Sequence, residues 1–404
     1  MTTTTMNRRA RALAGCAAAF LMLALAGCAA TSPFASKTEQ PFDQAASQAT
    51  DGLVAQTQKM PTFLANIGSK SGVVLDPMLD AGSAQQTIAT LRLQDRVIDR
   101  MASKYQTLEI LPFESENLAQ ARYLLTGTMT RMQVDDPHSP LQINLALTDL
   151  SSGIVVAQSS AVARDEGLDH TPLPYYRDAP VPTKDLVVES YVRTTATPVG
   201  QPADPYYMKR IAVAPVIKDA TTLYNAGLYL QALDRYNAAS ASASGEDQLR
   251  VLNGIYLSSV KLGRSADAEQ AFGKLVAYGI ANQQLGVKFL FTPGSTAFWP
   301  EARISGPYPM WLREIARAST DAKVCMAIVG HTSHTGSVAY NDTLSLQRAL
   351  YIRQKLVVES NALGPRTVPT GMGFRENIIG SGTDDAVDAL DRRVEFKIVG
   401  CGQS

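Results

Sequence analysis

The stretch from Gly330 to Arg353, GHTSHTGSVAYNDTLSLQRALYIR, constrains the fold more than any other part of this chain. The apolar run Val324 to Val329 leads into it and reads as a strand. Gly330 and Gly336 permit backbone conformations that a Cβ resists, so a tight polar loop follows the strand. Asn341 and Asp342 then offer side-chain oxygens as N-caps, which predicts a helix running to Ser360. Within it Leu344, Ala349, Ile352 and Leu356 share an inward face, the last three spaced at three and four. Arg348 stands one turn beyond Leu344 and points back over the loop. The result is a rim of hydroxyls (Thr332, Ser333), amides (Asn341 and the backbone) and one guanidinium, chemistry suited to a carboxylate.

These residues resemble the C-terminal peptidoglycan-binding domain of OmpA-like proteins. The resemblance rests on Gly330-His331-Thr332, Gly336, Ala339-Tyr340-Asn341, Leu344-Ser345 and Arg348-Ala349. Further on, Gly371-Met372-Gly373 and Asp391-Arg392-Arg393-Val394-Glu395 match the closing segment, with Asp391 where Asn is usual. It covers residues 285 to 400 and implies a βαβαβ(α)β fold, helices on a mixed sheet. In that family a loop Asp binds the ammonium of the peptidoglycan diamino acid, and a helix Arg binds its carboxylate. Arg348 matches the Arg, but Ser333 stands at the Asp position. A neutral hydroxyl cannot supply the charge-assisted bond, so the resemblance implies a weakened site or a different ligand. Asp342 or a water is the candidate to compensate.

The N-terminus reads as an address. Arg8, Arg9 and Arg11 precede an apolar run from Ala12 to Ala26, short for a bilayer span of about 20 residues. It ends in Leu25-Ala26-Gly27-Cys28, which resembles the bacterial lipobox. That resemblance implies a signal peptide over 1–27 and an acylated Cys28 inserted in a membrane; ordinary cleavage and an uncleaved anchor are the alternatives. Ala29 after the cysteine favours the outer membrane, with the body facing the periplasm. Lys plus Arg and Asp plus Glu number 37 each; losing the three leader arginines leaves 34 against 37, a charge of −3. No basic field recruits nucleic acid. With Cys16 removed and Cys28 acylated, Cys325 and Cys401 remain. The resembled fold makes their strands antiparallel neighbours, which implies a disulfide in an oxidising compartment; two buried thiols are the alternative.

The rest of the 404 residues divides by composition into an α+β multidomain chain. Residues 28–65, rich in Ala, Ser, Thr and Gln, read as a flexible tether. Residues 66–165 read as an α+β domain. Its strands are expected at Gly72–Asp76, Thr107–Leu111, Tyr123–Met132, Leu141–Leu150 and Ile154–Arg164, with a helix over Ser83–Ala102. Ser151-Ser152-Gly153 turns the last two strands into a hairpin. The runs Tyr123-Leu-Leu-Thr-Gly127-Thr and Leu147 to Val156 resemble periplasmic domains of flagellar-assembly (FlgO-type) and curli-secretion lipoproteins, and of lipoprotein activators of cell-wall synthases. Those domains act by protein contact. Residues 166–218 carry eight Pro between Pro172 and Pro215, which predicts an extended connector, with Arg210–Ala214 as a strand. Tyr175, Tyr176, Tyr206 and Tyr207 either pack this connector down or form an adhesive surface. In residues 219–282, Gly227, Ala232 and Tyr236 recur as Gly263, Ala268 and Phe272, 36 residues on. That spacing resembles a pair of tetratricopeptide repeats, a docking groove or a rigid spacer. Residues 283–404 form the OmpA-like domain, with a strand at Val287–Phe291 and an insertion at Pro300–Pro309.

Little in the chain suggests catalysis. His331 and His334 have a metal-binding spacing, but no third ligand stands near them in sequence, so no metal and no cofactor is expected. No nucleophile–base pair or phosphate loop stands out, and an enzyme is not expected. Arg392 and Arg393 either approach the Arg348 pocket or pair with an acid such as Asp384 or Asp385. The reading is a lipid-anchored protein that grips peptidoglycan through Arg348, Thr332, Ser333, Asn341 and Asp342. The alternative is an assembly scaffold, bound to envelope proteins through its first domain and repeat pair, whose wall site has decayed at Ser333.

Overall fold

The computed structural model describes residues 35–58, 70–105, 107–133, 136, 139–292, 294–380, 382 and 389–402. The leader, Cys28 and the first residues of the expected tether lie outside the described residues. From Ser32 to Ser404 the chain clusters as one unit.

The first sheet grows from alternating residues. β2 (Ser71–Leu75), β4 (Leu108–Leu111), β5 (Tyr123–Arg131), β6 (Leu141–Asp149) and β7 (Ile154–Ala163) occupy the expected strand positions, and a short β3 (Leu79–Asp80), not expected, follows β2. They are joined by β1 (Ala35–Gln40), and the order is β1-β7-β6-β5-β2-β4, with β3 alongside β5. Val73, Tyr123 and Leu125 point to one face and Val74 and Leu124 to the other, each into its own apolar cluster. A sheet buried on both sides needs two helical layers. On one side lie α1 (Phe42–Thr57) and α2 (Ile88–Lys104), the latter capped reciprocally by Thr87 and Thr90.

The tether expected over 28–65 is therefore corrected in its described part. β1 pairs in parallel with β7, and α1 is buried along Ala45, Ala46, Ala49 and Leu53. Alanines make a thin apolar face that lets a helix approach a sheet closely, while contributing little to hydropathy. Gln56 fixes the contact, donating from Nε2 to Gln158 O at 2.8 Å. Asp51 ties α1 to α2, accepting from Arg100 Nε (2.8 Å), Lys104 Nζ (2.8 Å) and Tyr105 Oη (2.7 Å). Burial would raise its pKa, but these three partners together hold it well below the usual carboxylate range. A folded-state pKa depressed in this way stabilises fully above the unfolded value and is lost as pH falls. The gap in urea midpoint between wild type and Asp51→Asn is therefore expected to be constant at neutral pH and to close below about pH 4. A gap that survives strong acid would show that Asp51 does not act through its charge.

The connector expected over 166–218 is mostly helical. Single turns at Pro174–Asp178 and Pro205–Met208 flank α3 (Leu186–Thr195), and the expected strand at 210–214 is a 3₁₀ turn entering α4 (Ala214–Asn225). α3 covers the second face of the sheet, where Tyr191 Oη donates to Gly127 O at 2.8 Å. Tyr175, Tyr176 and Tyr207 are buried, so these tyrosines pack the segment down. Asp185 caps α3 through Val188 N and also accepts from Leu249 N, both at 2.9 Å. One carboxylate thus serves the positive ends of two helices.

The second of those helices belongs to the repeat pair: α4 and α5 (Tyr229–Ser240), then α6 (Leu249–Lys261) and α7 (Ser265–Ala281). Gly227 and Gly263 turn each pair with φ of +79° and +70°. Tyr236 is the wedge, lying so close over Gly254 that a Cβ there would meet its ring at 2.3 Å. Phe272, its counterpart, stacks on Trp311 with centroids 5.3 Å apart. Trp311 belongs to α8 (Tyr308–Asp321) of the last domain, so repeat pair and C-terminal domain share one core.

That domain has a four-stranded mixed sheet. β8 (Leu285–Val287) lies upstream of the strand expected at Val287–Phe291 and shares only Val287 with it; the chain leaves the ladder at Lys288, whose ammonium is buried against Arg177 O. β9 (Cys325–Gly330), β10 (Thr367–Gly371) and β11 (Val394–Val399) complete the order β10-β9-β11-β8. β10 runs parallel to β9, and β11 antiparallel to both its neighbours. α9 (Val338–Glu359) lies across it. Among the described residues no helix is long and apolar enough to cross a membrane.

Candidate ligand cleft at the end of the last sheet

β9 delivers the chain to Gly330, and the polar loop begins there. Its path is fixed by backbone bonds on two sides: His331 N donates to Arg393 O at 3.0 Å and Thr332 N to Gly373 O at 2.9 Å. Gly336, with φ of +86°, turns it into α9. The helix begins one turn before the expected caps. Ser337 is the N-cap, accepting from Tyr340 N, because its hydroxyl meets the free amides first. Asn341 instead stitches the loop shut, its Nδ2 donating to Thr335 O at 2.6 Å and Ser337 O at 3.1 Å. Leu344, Ala349, Ile352 and Leu356 are buried, as their spacing requires.

A cleft of about 50 Å³ opens between this loop, the start of α9 and the segment after β8. Phe291, Thr332, Ser333, Asn341, Arg348 and Arg392 line it, with Trp299, Thr335 and Tyr340 at its edges. Arg348 is only 3% exposed. Its Nε donates to Ser295 O at 3.2 Å and its Nη2 to Thr292 O at 3.4 Å, while the guanidinium carbon sits 4.8 Å from the Phe291 ring centre. Two carbonyls and an aromatic face hold the planar cation in one orientation, so little side-chain entropy remains to be lost on binding. Ser333 is 4% exposed. Thr332 Oγ1 is buried without a hydrogen-bond partner among the described residues, which is costly unless something else fills the role.

Other expected site residues lie elsewhere. Asp342 is outside the cleft, on the exposed side of α9, in a two-pronged pair with Arg375 at 2.5 and 2.6 Å. It is not available to replace the missing Asp. Arg393 turns inward, donating to Glu395 Oε1 at 2.7 Å and Glu376 O at 3.0 Å, whereas Arg392 reaches the cleft. Asp391 accepts from three successive amides, Ile378, Ile379 and Gly380, at 2.6 to 3.0 Å, and so shapes the loop beside it. The residues that sequence reasoning missed, Phe291 and Trp299, come from a segment more than 30 positions upstream of the loop; no local pattern signals that approach.

The two loop histidines do not converge. His334 packs on the Phe374 ring at 4.2 Å, and His331 is fully buried with Nε2 3.6 Å from Glu395. Burial lowers the His331 pKa and favours the neutral ring. Burial raises the pKa of Glu395, but His331 and Arg393 outweigh it and hold the carboxyl near about 2. His331, Glu376 and Glu395 bring ligand atoms within 4.8 Å of one another. Arg393 and Lys397 already neutralise both acids, so the cluster carries no unmet demand for a divalent cation. Cys325 and Cys401, at one end of β9 and just past β11, are joined with sulfurs 2.07 Å apart.

None of the curated proteins matches the chain. Among solved structures, the peptidoglycan-associated lipoprotein from Burkholderia pseudomallei is similar at 20% identity and a TM-score of 0.24, over 28% of this chain and 88% of that one. The OmpA-like domain of FopA1 from Francisella tularensis subsp. tularensis SCHU S4 is similar at 15% identity and a TM-score of 0.21, over 28% and 75%. The OmpA family model matches residues 290–389, which span the cleft from Phe291 through Arg348 to the loop shaped by Asp391. Residues 290–389 of this chain are an OmpA family domain.

Proposed function

We propose that the C-terminal domain binds peptidoglycan without covalent chemistry, and that an acylated Cys28 holds the other end in the outer membrane, so that the chain tethers membrane to wall. The observation that carries this is the fixed guanidinium of Arg348 inside the cleft of an OmpA family domain. In this reading Arg348 receives a carboxylate of the diamino acid in the peptide stem. Thr332 donates its unpartnered hydroxyl to the same group, and Ser333 and Asn341 close the pocket around it. In this reading the acyl chains contribute about 0.8 kcal/mol per buried CH₂ to the anchor.

Co-sedimentation with purified sacculi tests it. A hydrogen bond to a charged group contributes roughly 1.5–3 kcal/mol, so Arg348→Ala is expected to weaken binding by about 10- to 150-fold. Arg348→Lys keeps the charge but loses the planar fork, and is expected to fall between. Both variants need an unchanged melting curve. If folded Arg348→Ala pellets like wild type, the wall reading is wrong.

A further inference from the structure

Thr332, one of the cleft residues, is gripped from both sides by the segment that follows β10. Its N–H donates to Gly373 O at 2.9 Å, and its carbonyl accepts from the Asn377 amide at 2.9 Å. Asn377 also donates to Phe374 O at 3.3 Å. Both of its neighbours are carbonyls, which can only accept, and this fixes which end of the amide faces them. The next three residues, Ile378, Ile379 and Gly380, give their N–H groups to Asp391. Two positions beyond Asp391, Arg393 O accepts from His331 N. Residues 373–380, tied to Asp391, thus form a strap behind the cleft loop.

The other side of the strap rests on the first domain. Arg131, the last residue of β5, donates from Nη1 to Ile379 O at 3.3 Å and from Nη2 to Asp165 Oδ2 at 2.7 Å. Asp165 is held in turn by His170, whose Nε2 lies 2.6 Å from its Oδ1. The side chains of Arg131 and Asp165 are only 12% and 5% exposed. The guanidinium is therefore anchored on its own domain before it meets the strap, and salt screens so buried a contact weakly. Gly82 approaches at the same place, since a Cβ there would lie 3.5 Å from Ile378 O. Ile378 and Ile379 close a cavity of about 40 Å³ against Asp80, Gln85 and Thr130 of the first domain.

We infer that Arg131 is a positioning residue for the ligand cleft: by holding Ile379 it fixes the strap that sets Thr332 in place. The first domain thereby determines how firmly the C-terminal domain grips its ligand. This rests on the wall-binding reading, because the ligand in question is the peptide stem.

The test is sacculus co-sedimentation of the full chain, with amide hydrogen exchange as a second readout. Arg131→Ala and Asn377→Ala are each expected to weaken binding by about fivefold, the size that one lost hydrogen bond implies. If both act through one strap, the double variant binds no worse than the weaker single variant, whereas independent effects would multiply. Arg131→Ala is also expected to speed exchange in residues 331–336 by about tenfold. Arg122→Ala is the control: Arg122 pairs with Asp149 inside the first domain, so its loss should change neither readout. Should Arg131→Ala fail to fold, Arg131→Lys takes its place, since a single ammonium on Asp165 gives up the second prong. Binding within about twofold of wild type in the folded Arg131 variant overturns the inference. So do multiplied losses in the double variant, or an equal loss in Arg122→Ala. If the wild-type chain does not pellet with sacculi, the wall-binding proposal falls instead. Exchange in residues 331–336 then decides whether Arg131 holds the cleft loop, so the two failures are distinguishable.

Discussion

Gly330→Ala is expected to destabilise the chain by about 3 kcal/mol, the upper part of the usual range for overpacking a core, and to weaken sacculus binding in whatever remains folded. A Cβ on Gly330 would lie 2.1 Å from Ser345 O and 3.0 Å from Ser345 C. Both are backbone atoms in the middle of α9, so no rotamer change relieves the contact. Gly371 pairs with Gly330 in the β10–β9 ladder, and its own Cβ would sit 2.6 Å from Leu346 N. The two glycines therefore form a trough at the sheet end into which the helix settles. Lifting the helix moves Arg348 away from Ser295 O, Thr292 O and the Phe291 ring, so stability and binding are lost together. Gly364→Ala is the control, since nothing lies within 4 Å of a Cβ there; its effect is expected to stay within about 0.5 kcal/mol. Should the two variants unfold at the same urea concentration, close approach of helix to strand is not what Gly330 provides.

That trough was legible only in outline. Gly330 announces a loop, and the spacing of Leu344, Ala349, Ile352 and Leu356 announces which way α9 faces; together they also place Arg348 over the loop. They do not reveal that Gly330 is needed for helix packing, because the contact is with Ser345, across the fold rather than along the chain. The hairpin of β6 and β7 was equally plain, since Gly153 adopts φ of +70° at the turn its sequence marks. Proline misled where it was counted rather than placed. Pro174, Pro205 and Pro215 all sit in the first turns of helices, where a missing N–H costs nothing, and Pro369 lies in β10, an edge strand that tolerates it. α1 was hidden for a different reason. Its buried stripe is built largely from Ala45, Ala46 and Ala49, which a hydropathy pattern barely registers although their small size is what brings α1 onto β7. Within the cleft, Thr332, Ser333, Asn341 and Arg348 come together as the sequence suggested. Asp342 does not, because Arg375, 33 positions away, claims it.

Opening the Cys325–Cys401 bond is expected to lower stability by about 4.5 kcal/mol. That follows from the chain-entropy relation for a loop closed across a separation of 76 residues. Position gives the bond this weight. Cys325 begins β9 and pairs with Val399 across the antiparallel ladder, so the crosslink clamps β11 at its open end. β11 lies inside the sheet, between β9 and β8, and its loss would leave β8 unpaired and β9 with β10 alone. Cys401→Ser is the cleaner variant, because Cys401 is exposed while Cys325 is 3% exposed and packs as a small apolar group. If the bond acts by restricting the unfolded chain, the native spectrum and sacculus binding stay unchanged. The urea midpoint then falls, and the slope of unfolding free energy against urea rises, since the uncrosslinked chain exposes more surface. A midpoint shift equivalent to less than about 1 kcal/mol would mean that the β9–β11 ladder already holds the strand ends together without it.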